Sequence, residues 1–181
     1  MIARRVMGVV LAGGQSNRFG SDKALAEIGG RSLIARAVAS LERQCDAVIV
    51  AGRDHAPAPV VADRPAPGLG PLGGLCGALH HAAGRGFDAV LSIPVDGFDV
   101  PADLIDELSP APAYALDAPV IGLWPVSARG PLDALLAEDT VHSLRAFALR
   151  IGARAVRLSY QPFNINTPAD LADAKGHVHG L

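Results

Sequence analysis

Near the amino terminus an apolar run, Val6–Ala12, gives way abruptly to the glycine-rich polar segment GGQSNRFGSDK, and a helical pattern follows. That order predicts a strand, a functional loop and a helix, because Ser32–Gln44 places Ile34, Val38 and Leu41 on one helical face. In the segment LAGGQSNRFGSDKAL, residues 11–25, Gly13, Gly14 and Gly20 let backbone N–H groups approach an anion closely. Arg18 and Lys23 add positive charge, so the segment from Leu11 to Lys23 reads as a cradle for a nucleoside triphosphate. It is not a Walker loop, since no Gly-Lys-Ser/Thr occurs. A plain strand-to-helix turn has no need of both cations, and an acid beside Lys23, Asp22, is unexpected for phosphate binding alone.

The remaining pattern continues the alternation of strands and helices. Ala47–Ala51 is a β-branched strand, a Pro/Ala loop runs through Pro59, and a short apolar stretch covers Val60–Ala62. The Gly/Pro segment Gly68–Gly74 precedes a helix that aligns Leu72, Leu75 and Leu79. Ala89–Ile93 forms a strand that stops at Pro94, Pro101 opens a helix reaching Leu108, and Val120–Pro125 is a later strand. Between Leu108 and Val120 the Pro- and Ala-rich sequence has no clear period. Val141, Leu144, Phe147, Ala148 and Ile151 follow helical spacing, Ala155–Leu158 is a strand, and Thr167-Pro168-Ala169-Asp170 starts the last helix. No repeat or linker divides the 181 residues, so one domain, residues 1–181, is expected. The apolar half of the composition is mostly Ala, Val, Leu and Ile, which suits buried parallel strands covered by helices.

Charge and cysteine usage remove other classes. A formal net charge of −2, with no stretch interleaving basic and aromatic residues, speaks against nucleic acid. Arg4, Arg5 and the apolar run after them superficially resemble a secretion signal, but the run is short and ends in GGQSNRFG without a cleavage context. No apolar stretch is long enough to span a bilayer, and a cytoplasmic location is expected. Cys45 and Cys76 are isolated and read as small buried hydrophobes, while His80 and His81 read as lying on the polar side of a helix. His177 and His179 fall in a polar tail and are not expected to bind metal.

Asp96 stands just beyond the carboxyl end of a strand, where open parallel sheets bind ligands. A carboxylate there can hold a largely hydrated Mg²⁺ that bridges phosphate oxygens. The run Gly68-x-Gly70-x-x-Gly73 satisfies a dinucleotide fingerprint literally, but Pro71 interrupts it and no robust strand precedes it.

LAGGxSxRxGxDKxL at Leu11–Leu25, GPLGG at Gly70–Gly74, Pro94-x-Asp96 and NINTPADL at Asn164–Leu171 occur in order over nearly the whole chain. In these motifs the sequence resembles the molybdenum cofactor guanylyltransferase (MobA-like) nucleotidyltransferase family. The resemblance implies a three-layer α/β/α sandwich around a Rossmann-like, mostly parallel sheet. It further implies that Leu11, Ala12, Gly13, Gly14, Lys23, Asp63 and Asp96 meet GTP, that Asp96 binds Mg²⁺, and that Asn164 and Asn166 lie near the acceptor or metal. Three departures stand out: PVDGFDVP adds Gly97 and Asp99 to the strand-end motif, an Asn usual near Ala51 and Gly52 is missing, and the stretch from Leu108 to Trp124 is short.

The activity this implies is transfer of GMP from GTP to molybdopterin or its molybdenum form, with pyrophosphate released and Lys23, Arg18 and Asp96 carrying catalysis. Other proteins of molybdenum-cofactor biosynthesis, or the molybdoenzymes that receive the cofactor, are the expected partners. Two alternatives accompany it: a nucleotidyltransferase using CTP or another phosphorylated acceptor, and a nucleotide-binding regulator without turnover.

Overall fold

The computed structural model describes residues 4–13, 22–97, 99–140, 142–160 and 165–178, with residues 177 and 178 described by backbone alone. Strand β1 (Val6–Leu11) is buried along its whole length. It runs parallel to β4 (Ala47–Ala51) on one side and β6 (Ala89–Pro94) on the other. β5 (Val60–Val61) extends the parallel set beyond β4. Past β6 the direction reverses: β8 (Ala118–Pro125) is antiparallel to β6, and β7 (Ala113–Ala115) is antiparallel to β8 and parallel to β9 (Arg154–Val156). The seven-stranded order is β5-β4-β1-β6-β8-β7-β9, and a separate small hairpin pairs β2 (Glu27–Ile28) with β3 (Arg31–Ser32).

Both faces of the sheet are covered, because alternate residues of each strand point to opposite sides. Met7, Val9 and Leu11 enter a core with α2 (Gly70–Ala83), α4 (Arg129–Ala137) and α5 (Leu144–Arg150), where Leu75, Leu132 and Phe147 are buried. Val6 and Val10 enter the opposite core with α1 (Leu33–Glu42) and α3 (Leu104–Leu108), against Ile34, Leu41 and Leu104. At Gly8, between them, a Cβ would come within 3.0 Å of Leu41, so glycine lets α1 lie tight on the central strand. Trp124 closes the first core: its indole N–H donates to Ser92 Oγ at 2.9 Å, and Ser92 donates to the Val120 carbonyl at 2.7 Å. The layers and the mostly parallel sheet are those expected, with helices on both faces.

Several boundaries differ from the sequence expectation for local reasons. The helix expected from Pro101 starts at Leu104, because the Gln44 side chain, at the end of α1, binds the Pro101 carbonyl at 2.8 Å and the Ile105 N–H at 3.1 Å. The helix containing Phe147 starts at Leu144 and not Val141, capped by Ser143 Oγ, which accepts from Ala146 N–H at 3.1 Å. Strand β9 is Arg154–Val156, shifted from Ala155–Leu158 by its register against β7, itself in the region that sequence left unassigned. Helix α4 had no sequence signal because Gly130-Pro131 opens it, yet proline is acceptable in a first turn. GPLGG also turned out to be helical, forming the start of α2. The last helix, α6 (Pro168–Val178), begins where expected, with Asp170 Oδ2 accepting from the Asn166 and Thr167 N–H groups at 2.8 Å each. Among the described residues, no helix is long and apolar enough to cross a membrane.

Candidate functional site

All the strands that run parallel to β1 end on one edge, and the polar residues singled out in the sequence gather there. Ala12 N–H donates to the Ala51 carbonyl at 3.0 Å, tying the exit of β1 to that of β4. Just beyond, Gly13 and Gly52 touch backbone to backbone: a Cβ on Gly52, whose φ is +84°, would stand 2.4 Å from the Gly13 Cα. A cleft of about 670 Å³ opens beside this contact, lined by Gly13, Gly52, Arg53, Asp63, Gly68 and Gly70 among others.

Asp63 forms one wall of the cleft. One carboxylate oxygen, Oδ1, is buried without a hydrogen-bond partner. Loss of water raises its pKa, opposed by a hydrogen bond from the Gly68 backbone. The glycines of α2 make this approach possible: a Cβ on Gly73 would lie 3.3 Å from the Asp63 Cβ, and one on Gly77 only 2.1 Å from the Ala62 carbonyl oxygen.

The second centre is an ion pair. Lys23 Nζ stands 2.7 Å from Asp96 Oδ2, with side chains only 15% and 8% exposed. Ile165 N–H donates to the same oxygen at 3.2 Å, bringing this residue of the NINTPADL segment against Asp96. Asp96 sits in the turn directly after β6, whereas Asp99 is exposed. Lys23 belongs to a short 3₁₀ turn, Lys23–Leu25, capped by Asp22 Oδ1, which accepts from Ala24 N–H at 3.1 Å.

Asp22 answers the question its presence raised. Both of its oxygens are taken by the Arg53 guanidinium, one bond being 2.9 Å, and Arg53 holds the Asp22 carboxyl below the usual carboxylate range. Arg53 thus joins the cleft to the turn that carries Lys23. Sequence reasoning did not find it; the unexplained acid at position 22 was the signal that a cation had to be near.

Of the expected residues, Leu11, Ala12, Gly13, Lys23, Asp63 and Asp96 assemble on this edge. Asn166 is one residue from the Ile165–Asp96 contact, with its own backbone N–H on Asp170. Gly14, Arg18 and Asn164 lie outside the described residues. The arrangement can bind a flat base in a cleft, neutralise phosphate charge with Lys23 and present a buried hard carboxylate beside it.

Comparison with known proteins gives the same direction. The family described as MobA-like NTP transferase domain matches residues 8–163. The molybdenum cofactor guanylyltransferase of Rhodobacter capsulatus is 40% identical over 96% of this chain and 97% of its own. The protein of the same name from Rhizobium leguminosarum bv. trifolii (strain WSM2304) is 37% identical over 97% of this chain and 94% of its own. Among solved structures, molybdopterin-guanine dinucleotide biosynthesis protein A from Archaeoglobus fulgidus superposes with a TM-score of 0.72 at 19% identity, covering 97% of this chain and all (100%) of that one. At that identity the superposition speaks for the fold.

Proposed function

From the premise that this chain belongs to the MobA-like NTP transferase family, we propose that it is a molybdenum cofactor guanylyltransferase. It moves GMP from GTP to the terminal phosphate of molybdopterin or its molybdenum form, yielding the guanine dinucleotide cofactor and pyrophosphate. The observation that carries this reading is the full-length likeness to guanylyltransferases, found together with an intact Lys23–Asp96 pair beside the cleft.

An anionic phosphate oxygen of the acceptor attacks the α-phosphorus of GTP, a new P–O bond forms, and the bond from the α-phosphorus to the bridging oxygen of the β-phosphate breaks. The electron pair leaves on pyrophosphate. Since the nucleophile is already deprotonated, this chain has no need of a strong general base, and alignment with charge neutralisation suffices. Lys23 donates to triphosphate oxygens, Arg18 adds charge from the preceding loop, and Leu11, Ala12, Gly13 and Gly14 offer backbone groups to the nucleotide. The partnerless Asp63 oxygen suits the N1–H and N2 amino donors of guanine, which would relieve a buried acceptor that is otherwise unsatisfied. Asn164 and Asn166 border the acceptor.

The donor set fits magnesium: Asp96 is a hard oxygen ligand only 6% exposed, at the edge where the phosphates would lie. Asp96 would hold the ion, which when bound neutralises charge on the phosphate oxygens. Water-soluble substrates and a site open to solvent agree with action in the cytoplasm, in one catalytic domain that passes its product to later proteins of cofactor biosynthesis or to molybdoenzymes.

Incubating the protein with Mg²⁺, molybdopterin and GTP labelled at the α-phosphate tests the proposal. The expected result is label in a dinucleotide and stoichiometric pyrophosphate, with kcat/KM for GTP above those for CTP and ATP. Equal or better efficiency with CTP would refute the guanine assignment while leaving nucleotidyl transfer intact; tight GTP binding without turnover would favour a regulator.

A further inference from the structure

Away from the nucleotide cleft, α2 and α4 bring together three side chains of different chemistry. Cys76 and His80 are four residues apart on α2, so they rise from one face of the helix one turn apart. Asp133 of α4 meets both: Cys76 Sγ donates to Oδ1 at 3.2 Å, and His80 Nε2 stands 3.0 Å from Oδ1 and 2.9 Å from Oδ2. We propose that Cys76, His80 and Asp133 form a binding site for one thiophilic divalent cation of the zinc class, bridging α2 and α4.

The dimensions are suitable. The sulfur, nitrogen and oxygen atoms all lie within 4.8 Å of one another. Zinc bond lengths of about 2.0–2.3 Å in tetrahedral geometry set ligand atoms about 3.3–3.7 Å apart, so small side-chain rotations convert the hydrogen-bonded cluster into a coordinated one. A thiolate, a carboxylate and a neutral imidazole sum to the charge that a divalent cation cancels. Burial and the adjacent Asp133 carboxylate push the Cys76 thiol up to about 12, with the Arg64 charge opposing them, so the ion binds by displacing the thiol proton. The site is closed at the sulfur, which is fully buried, and open at His80 and Asp133, whose side chains are 27% and 45% exposed. That opening admits the ion and leaves room for water as a fourth ligand.

Sulfur and imidazole also separate this site from the one at Asp96. A soft donor set prefers zinc to magnesium, whereas a single carboxylate at the phosphate edge prefers the reverse. None of the three residues is among those lining the nucleotide cleft. A cation here would cross-link α2, whose glycine-rich start presses on Asp63, to α4 on the same face of the sheet.

Co²⁺ titration of the full chain, stripped with chelator and kept in excess Mg²⁺, provides the test. Expected are thiolate-to-cobalt charge-transfer absorption that saturates at one equivalent, its displacement by Zn²⁺, and a higher Tm with Zn²⁺. Cys76→Ser and His80→Gln should each lose the absorption and weaken binding more than about 100-fold, beyond what loss of a supporting contact causes. Cys45→Ser should leave it unchanged. Circular dichroism checks folding, and Asp133→Asn serves in place of a variant that fails to fold. Absence of the absorption at one equivalent, its survival in Cys76→Ser or His80→Gln, or its loss in Cys45→Ser overturns the proposal.

Discussion

Lys23 and Asp96 face each other at 2.7 Å with both side chains largely buried, so charge removed from either is poorly replaced by solvent. Lys23→Ala is expected to fold normally and to lower turnover about 10²–10³-fold at saturating GTP, the scale for losing a preorganised charge-stabilising contact. Steady-state kinetics beside a melting curve checks this, and near-normal turnover would remove Lys23 from catalysis. Asp96→Asn should be a worse enzyme than Asp99→Asn and should respond to added Mg²⁺, because only Asp96 is buried at the strand end. Arg53 is a positioning residue, acting on Lys23 through Asp22. Arg53→Met should lower kcat/KM about tenfold with little change in Tm, and adding Asp22→Asn should cost much less than the two effects multiplied. Full additivity in that double-mutant cycle would show that the two residues act separately. Lys23 and Asp96 could be read from sequence because their chemistry is local to a motif, whereas Arg53 could not: its partner is 31 positions away and only folding joins them.

Helix α2 shows how an element can be legible in kind and misread in detail. Its leucine spacing announces a helix, but its glycines look like a turn, and the reason for them is a close approach that no local pattern encodes. Gly77→Ala is predicted to be the most damaging of the small substitutions in this helix, since its Cβ would lie 2.1 Å from the Ala62 carbonyl oxygen. Overpacking of this kind costs about 1–3 kcal/mol, and the strain would push Ala62 and Asp63 outward. A lower denaturation midpoint together with a raised KM for GTP is expected; a stable variant with unchanged KM would mean that α2 does not set the position of Asp63. Gly130, by contrast, has nothing within 4 Å of a built Cβ, so alanine there should be tolerated. At Gly13 the close approach of an anion is not the sole reason for glycine, because a Cβ would also meet the Gly52 Cα at 3.2 Å.

Across the whole molecule, the parallel half of the sheet was the readable half. β1, β4 and β6 are apolar runs that stop where the loops carrying the candidate site begin, and parallel strands buried on both faces leave such runs. Beyond β6 the apolar β8 is still legible, but β7 and β9 are three residues each and pair only after more than thirty intervening residues have folded back through α4 and α5. Their register is therefore a property of the assembled sheet and not of either segment. The reversal of direction after β6 divides the chain as well as the sheet. Residues 6–96 supply the cleft, Lys23 and Asp96, and the segment near Ile165 returns to brace them. Everything placed beyond the reversal comes from one continuous intervening stretch, so a single exchange of genetic material bounded by residues 99 and 160 could replace it entire. Such an exchange would leave the cleft and the Lys23–Asp96 pair on segments that it does not touch.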